Sequence, residues 1–310
     1  MDGFSVFLAL FGLFSLALCR YLIERGMTQI YSGPPRRHAL YAAAEGFALA
    51  VPLLVFAVSA AAAGNHSAAL TSVGGGTSFL FLFQFAPYAA WLPGIVLKRD
   101  FLDKGIPLLA ASALLAVFVA GGHLTSAEGA ILLVLPMISL LFSAPSEAPP
   151  RKPPPIGAEL VMKRLPETRP LFLGVIFLPI GAFFIYRYFA PAAEFLSLSQ
   201  TGAGLLASFL ILLPDAFSAW RELRKKERSL RCDRLLYSAL FTVTIIPGTL
   251  AHLSSRFAVP GDSALFTAAG LLFPSIVAVL PPLFTERITR FQGVCIGIFS
   301  LALLAISFLL

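Results

Sequence analysis

Asp215 is the residue whose setting most clearly predicts chemistry. It lies in an apolar stretch long enough to cross a membrane and directly follows Pro214. A charged side chain at that depth costs roughly 2.5–3.5 kcal/mol on insertion scales, so an intramembrane carboxylate is by default a functional-site hypothesis. The proline also frees a backbone carbonyl one turn earlier. We predict that Asp215 binds a metal cation or a proton; the alternative is an ion pair with Arg221 or with another base near the membrane surface.

Glu45 is the second acidic candidate. It precedes Leu53 by eight residues, about two helical turns, so the two side chains lie on roughly the same helix face. At this position a carboxylate could carry a proton or a cation near one membrane surface. The alternative is an interfacial ion pair with Arg36 or Arg37.

Hydroxyl side chains on two apolar segments form the third group of candidates. Ser72 and Thr77 lie on one segment, and Ser238 and Thr242 lie on the other. Hydroxyls can coordinate a monovalent cation, or they can hydrogen-bond neighbouring helices across an interface. Three consecutive glycines at 74–76 could unwind the first segment and expose its carbonyls to a cavity. They could equally allow another helix to approach closely.

The segments that must position these residues are predicted to be membrane-spanning helices. The chain has 310 residues, of which 58% are hydrophobic and only 13% charged, with a mean hydropathy of +0.85. The apolar residues come in runs long enough to cross a hydrocarbon core of about 30 Å, and no alternating pattern of the kind that a membrane strand needs is present. We predict helices over 3–23, 39–63, 71–97, 105–123, 127–144, 170–190, 200–220, 234–253, 262–284 and 289–310.

The basic residues predict the orientation of these helices. All but two of the 23 Lys and Arg, the exceptions being Arg187 and Arg256, fall at connections on one side of the membrane. Cytoplasmic connections collect Lys and Arg, so we expect both termini outside, in a multi-pass protein of a bacterial-type inner membrane. The same asymmetry explains the net charge of +7, so no nucleic-acid partner is expected; the lipid bilayer is the expected partner.

A proline-rich stretch divides the chain. We predict a first five-helix repeat over 1–144, a cytoplasmic linker over 145–169 and a second five-helix repeat over 170–310. An odd number of helices per half forces the second half to enter the membrane from the opposite side, which makes an inverted repeat. Sequence matches at near-constant offsets support a duplication: Val51-Pro52-Leu53-Leu54 with Leu213-Pro214-Asp215-Ala216, Phe79 with Phe241, and Leu124–Gly129 with Ile288–Gly293.

At these anchors the chain resembles the calcium/cation antiporter superfamily, that is, the sodium/calcium exchangers. Leu213-Pro214-Asp215 resembles the family's L-P-[E/D], and Pro52-Leu53 stands at its first-half counterpart, with leucine in the acid's place. Gly75, Phe79, Ser238 and Phe241 match the family's next helix in each half, with Thr242 in place of its last asparagine. Thr125-x-x-Glu128-Gly129 and Thr289-Arg290-x-Gln292-Gly293 are similar to the starts of its last helices.

The resemblance implies an all-α membrane protein of about ten transmembrane helices, arranged as two inverted five-helix repeats. It also implies secondary transport, with Ca²⁺ and Na⁺ held by oxygens from four helices. We therefore predict cation antiport (Na⁺, H⁺ or Ca²⁺) at a degenerate site formed by Asp215, Glu45 and the four hydroxyls. The alternative is a non-transporting scaffold, or a subunit that binds another membrane protein. We find no nucleophile elbow, P-loop or dinucleotide fingerprint, so we expect neither an enzyme nor a cofactor.

Overall fold

The structure, a computed structural model, describes residues 3–31, 38–91, 99–142, 170, 173–188, 198–224, 232–253, 256–285, 287–306 and 309. Within these ranges the chain forms ten long helices and two short strands. The helices are α1 (Gly3–Tyr31), α2 (His38–Ala62), α3 (three consecutive helical segments, His66–Leu80, Phe81–Phe85 and Ala86–Trp91), α4 (Arg99–Ala120), α5 (Ser126–Phe142), α6 (Leu173–Tyr188), α7 (Gln200–Arg224), α8 (Cys232–Leu253), α9 (Gly261–Thr285) and α10 (Arg290–Ile306).

Each predicted helix has its counterpart, and the main differences lie at three ends. Helix α1 continues to Tyr31, whereas the prediction ended it at 23; α3 begins at His66 instead of 71, and α4 begins at Arg99 instead of 105. Apolar composition identifies the part of a helix that lies in the bilayer. It does not mark where a helix ends, because a polar extension satisfies its own backbone hydrogen bonds in the same way.

The helices have the length and composition of membrane spans. Five described helices are long and apolar enough to cross a membrane, at Ala42–Ala62, His66–Ala90, Gln200–Phe217, Arg234–Leu253 and Gly261–Thr285, and five shorter helices are apolar as well. Large apolar side chains point out of the bundle on the peripheral helices, for example Phe14, Ile176 and Phe291. Such a surface is favourable in a lipid bilayer, since the surrounding acyl chains are as apolar as leucine.

Helix α3 lies at the centre of the bundle and is buried along nearly its whole length. The helix continues through the glycine run at 74–76, one of the places where unwinding was considered, and also through Pro87. Ahead of Pro87 the chain makes one π turn, Phe81–Phe85, in which the Ala86 N–H donates to the Phe81 carbonyl. A π turn is a usual way for a helix to absorb a position where the regular hydrogen-bond ladder is broken.

The two halves of the bundle repeat each other with inverted orientation. Helix α3 packs against α7, α9 and α10, and α8 packs against α2, α4 and α5. Each helix corresponds to the helix five places away in the chain: α3 to α8, α7 to α2, α9 to α4 and α10 to α5. The neighbours of α3 are therefore the counterparts of the neighbours of α8. The fold is therefore two interlocked five-helix halves in which α3 and α8 occupy equivalent central positions.

Close contacts between α5 and α8 recur between α10 and α3. A side chain added at Gly129 of α5 would come within 3.0 Å of the Gly248 carbonyl and 2.7 Å of Ala251 Cβ. One added at Gly293 of α10 would come within 2.8 Å of both the Ala86 carbonyl and Ala89 Cβ. Because Ala86 and Ala89 precede Gly248 and Ala251 by the same interval as the sequence matches, 162 residues, these contacts are the same interface in two copies.

The starts of α5 and α10 also have the same cap. The Thr125 N–H donates to Glu128 Oε2 at 2.7 Å, and the Glu128 N–H donates to Thr125 Oγ1 at 3.3 Å. Thr289 and Gln292 make the corresponding bonds at 2.7 and 3.4 Å. Such a reciprocal capping box satisfies two N–H groups that a helix start leaves without partners.

Two short strands join connections at one end of the bundle. Strand β1 (His123–Thr125) pairs antiparallel with β2 (Arg256–Ala258), with Leu124 opposite Phe257. The strands precede α5 and α9, so α4 and α8 end at the same face of the bundle. We call this end the sheet side, and we call the opposite end, where α1 and α7 end and α2 and α8 begin, the basic side.

The predicted linker lies outside the described residues. The division of the chain into 1–144, 145–169 and 170–310 therefore stays a prediction.

Candidate functional site

Asp215 is buried inside the bundle and forms an ion pair that its sequence neighbours did not indicate. It lies on α7 with 3% of its surface exposed. Its partner is Arg20 of α1, whose Nη1 donates to Asp215 Oδ1. The base expected from the sequence, Arg221, lies on the same helix, and its side chain is outside the described part of the structure. An arginine from the other half of the molecule thus balances the Asp215 charge.

Arg20 makes a second contact with an oxygen atom. Its Nη2 donates to the main-chain carbonyl of Leu49 on α2 at 3.4 Å. Leu49 lies just before Pro52, which is inside α2 and disturbs the hydrogen-bond ladder there by its missing N–H and its ring. The guanidinium therefore bridges a carboxylate from the second half and a carbonyl from the first half.

Glu45 forms the second buried ion pair. Its Oε1 accepts a hydrogen bond from Arg234 Nη1 of α8 at 3.0 Å, and the two residues are 2% and 6% exposed. Arg36 and Arg37, the partners considered from the sequence, have no described side chains. Like the first pair, this one joins the two halves, here through α2 and α8.

The two ion pairs lie close enough to act on each other. Arg234 interacts electrostatically with both Asp215 and Arg20. Leu49, whose carbonyl Arg20 contacts, follows Glu45 by four residues, which is about 6 Å along the axis of α2. Two acids and two arginines thus form one buried cluster of two ion pairs on the basic side.

Gln84 adds a neutral polar group to this cluster. It lies in the π turn of α3 and is 4% exposed. Its amide interacts with the Asp215 carboxylate, and neither Gln84 Nε2 nor Asp215 Oδ2 has a partner of regular hydrogen-bond geometry among the described residues. Buried polar atoms are nearly always hydrogen-bonded, so this local set of polar atoms is incompletely satisfied.

Leu53 fills the position that the exchanger resemblance assigns to an acid. Its side chain is fully buried, and its Cδ1 would be 2.7 Å from a Cβ added at Gly76 of α3. Thr242 Cγ2 of α8 lies on the same spot, at 3.4 Å. In the first half, the position of the acid is therefore occupied by apolar packing of Leu53 against Gly76 and Thr242.

Two of the predicted hydroxyl ligands, Ser72 and Thr77, lie well along α3 from Gln84, whose amide is beside Asp215. Along α3, Thr77 lies about 10 Å and Ser72 about 18 Å from the level of Gln84. Ser72 and Thr77 donate to the Ala69 and Val73 carbonyls of their own helix at 2.7 and 3.0 Å. Thr242 donates to the Ser238 carbonyl at 2.8 Å.

Ser238 is the exception among these four hydroxyls. Its Oγ is buried and has no hydrogen-bond partner among the described residues.

Two site residues, Arg20 and Arg234, were interpreted from the sequence only as topology signals. A signal was present for Arg20, because it falls inside the predicted span 3–23, where an arginine is as costly as an aspartate. Arg234 stands at the very start of a predicted span and carried no such signal. Among the described residues, no group of three or more His, Cys, Asp or Glu side chains is placed to hold a metal ion.

The fold is that of solved cation exchangers. The H⁺/Ca²⁺ exchanger CAX superposes with a TM-score of 0.76 and 14% sequence identity, over 98% of this chain and 86% of that one. The sodium–calcium exchanger NCX_Mj, soaked with 2.5 mM Na⁺ and 0.1 mM Sr²⁺, gives a TM-score of 0.70 and 14% identity over 98% and 99% of the two chains. A structure of the same exchanger at 1 mM Sr²⁺ gives 0.69 and 16%.

No protein-family model and no curated protein matches the sequence. At such low identity the likeness establishes the fold, which is an integral membrane fold of two inverted five-helix halves.

Proposed function

We propose that this protein is a secondary transporter that exchanges small cations across the membrane, with Asp215 as its ion-binding carboxylate. The supporting observation is a carboxylate buried between the inverted halves of an exchanger fold, with one oxygen that has no hydrogen-bond partner in the described part of the chain. Inverted-repeat transporters bind substrate where their halves meet, at broken or polar helix segments. Pro214 and Pro52 lie inside α7 and α2, and each removes one backbone hydrogen bond from its helix.

The repeat equivalence suggests Ser238 as the next ligand. Leu53 and Gly76, which are in contact, lie 162 residues before Asp215 and Ser238. A conformation in which α7 and α8 pack as α2 and α3 do would therefore bring the Ser238 hydroxyl to the Asp215 carboxylate. The unpartnered Ser238 Oγ is consistent with that role. Ser72, Thr77 and Thr242 are then packing residues or more distant parts of an ion path.

The charge of the cluster favours Na⁺ or H⁺ over Ca²⁺ as the transported ion. Ca²⁺ takes six to eight oxygen ligands, normally with several carboxylates. Here Asp215 is close to two arginines, Glu45 is paired with Arg234, and Leu53 contributes no oxygen. A divalent ion would meet two positive charges and a single available carboxylate, whereas a proton or a monovalent ion requires less compensation.

Flux measurements in liposomes test the proposal. With imposed gradients of Na⁺, H⁺ and Ca²⁺, we expect the wild type to carry Na⁺ or H⁺, and Asp215→Asn to abolish the flux. Asp262→Asn is the matched control, because Asp262 is an exposed aspartate at the start of α9 on the sheet side and should leave flux unchanged.

A second variant guards against a folding defect. Removing one partner of a buried ion pair can destabilise a protein by roughly 3–5 kcal/mol, so Asp215→Asn could unfold. The double variant Arg20→Gln/Asp215→Asn removes both charges and should fold, yet it should also carry no ion. Flux that persists in this folded variant contradicts the role of Asp215.

The scaffold remains the second candidate, and the Arg20–Asp215 pair is the observation that favours it. Arg20 already neutralises Asp215, and Leu53 stands at the other acid position. Both features fit a protein that has the exchanger fold but does not transport ions. Wild-type protein that is folded but carries none of the three ions would select this alternative and call for a search for a membrane-protein partner.

A further inference from the structure

We propose that Arg20 is a tethered cation that occupies the ion-binding position at Asp215, and that the transported cation displaces it. This inference rests on the proposed function and adds a residue that competes with the cargo. It concerns a site formed by Arg20, Asp215 and the Leu49 carbonyl.

The two oxygens that Arg20 contacts are those that a small cation would use. They are a carboxylate oxygen of Asp215 and the main-chain carbonyl of Leu49, beside a helix-internal proline. In inverted-repeat transporters, carbonyls at helix interruptions coordinate Na⁺ or H⁺ near the midplane. The guanidinium donates to both oxygens and neutralises the Asp215 charge. A bound cation would do the same.

The pair is not arranged for maximal stability. A strong Arg–carboxylate pair is bidentate, with two parallel N–H···O bonds, whereas here Asp215 Oδ2 and Arg20 Nε are buried without partners among the described residues. Buried ion pairs are also often no more stabilising than apolar side chains of similar volume. A contact that uses only part of its bonding capacity is one that a competing ion can replace.

Arg234 lowers the cost of displacement. It repels Arg20 and attracts Asp215, so the carboxylate keeps a nearby positive charge when Arg20 leaves. The Leu49 carbonyl that Arg20 would leave is one helical turn, about 6 Å along α2, from Glu45 of the second ion pair. A long arginine side chain can extend toward the membrane surface over such a distance while its stem stays in apolar surroundings.

Cation-dependent thermal stability of the purified protein tests the competition directly. Na⁺ is titrated against choline at constant ionic strength, with wild type, Arg20→Gln, and Arg187→Gln as matched control, since Arg187 is an exposed arginine on α6. If Arg20 occupies the site for most of the time, Arg20→Gln should lower the Na⁺ concentration at half-maximal stabilisation by about tenfold or more. The reason is that apparent affinity scales with the fraction of sites that are open. Arg187→Gln should match the wild type, and Arg20→Gln/Asp215→Asn should show no Na⁺ dependence.

An unchanged Na⁺ midpoint in folded Arg20→Gln overturns the inference. If that variant does not fold, Arg20→Lys replaces it: a single ammonium cannot reproduce the guanidinium fork, so its midpoint should still lie below that of the wild type, and an equal midpoint has the same negative meaning.

Binding of added guanidinium ion distinguishes a competing arginine from a purely structural one. Arg20→Ala should be stabilised by millimolar guanidinium, and Na⁺ should compete with it for one site. Independent binding of the two ions overturns the inference.

The flux and binding measurements can fail separately. If the wild type carries ions but Arg20→Gln has the same Na⁺ midpoint as the wild type, the competition by Arg20 is rejected and the transport function is retained. Tighter Na⁺ binding in Arg20→Gln without wild-type flux of any tested ion removes the transporter, and with it the claim that a transported ion displaces Arg20.

Discussion

At the scale of single residues, the buried charges are paired across the two halves. Asp215 and Glu45 are the buried acids of the described chain, and each is held by an arginine more than 180 positions away in sequence. Pairing is the physical condition under which such charges tolerate burial. The Asp215 pair also has the Gln84 amide next to it, and Gln84 Nε2 has no hydrogen-bond partner among the described residues.

The Glu45–Arg234 pair is predicted to be mainly structural. Glu45→Gln leaves a buried arginine without its charge partner, so we expect the free energy of unfolding to fall by roughly 3–5 kcal/mol. Glu45→Gln/Arg234→Gln should recover much of that loss, since it replaces the ions by a neutral pair. Unfolding in mixed micelles measures both, with Asp262→Asn as control. Equal stability of Glu45→Gln and the wild type would show that this ion pair does not hold the halves together.

At the scale of elements, glycine in this bundle serves close helix approach. A Cβ at Gly74 of α3 would meet the Thr267 backbone of α9 at 2.7 Å, and one at Gly270 would meet the Gly74 carbonyl at 2.7 Å. Small residues at helix interfaces are typical of membrane bundles, where van der Waals packing replaces the hydrophobic effect as the driving force. Of the two roles considered for the glycines at 74–76, the structure therefore has the packing role.

The repeated α5–α8 and α10–α3 interface gives a matched set of substitutions. Gly129→Ala and Gly293→Ala each place a methyl group against a backbone carbonyl, so we expect each to cost about 1–3 kcal/mol. Gly297→Ala, one turn after Gly293 on α10, has open space around its added Cβ and should be neutral, or stabilising by up to about 1 kcal/mol. Thermal unfolding of the three variants measures this. Similar stabilities for Gly293→Ala and Gly297→Ala would contradict the close packing of α10 on α3.

At the scale of the whole molecule, the two ends of the bundle are closed differently. The basic side has the two buried ion pairs, whereas the sheet side has the β1–β2 pairing. Most Lys and Arg of the sequence are also predicted on the basic side, and this asymmetry determines how a membrane protein inserts, because Lys and Arg stay on the cytoplasmic side.

The orientation is therefore predicted with the basic side in the cytoplasm and both termini outside. In a variant lacking its three native cysteines, Asp262→Cys on the sheet side should react with a membrane-impermeant thiol reagent in intact cells. Arg290→Cys, exposed at the start of α10, should react only after the cells are permeabilised. The reverse labelling pattern would contradict the orientation and the proposed role of the basic side.

The sequence alone determined the ten helices, their alternation and the inverted repeat. These follow from local properties: apolar length, charge at the connections and residue matches at near-constant spacing. The sequence also indicated the two acids, because an acid in an apolar run is conspicuous wherever it folds.

Only the tertiary structure decided which groups meet. In the sequence, Arg20 and Arg234 were counted only as part of the Lys and Arg excess on one side of the membrane. Nothing in their spacing pairs them with Asp215 and Glu45. The pairing arises because α1 packs against α7, and α2 against α8, across the halves. A partner nearly 200 residues away in sequence is selected by how helices interlock, and the local pattern of either segment contains no information about that contact.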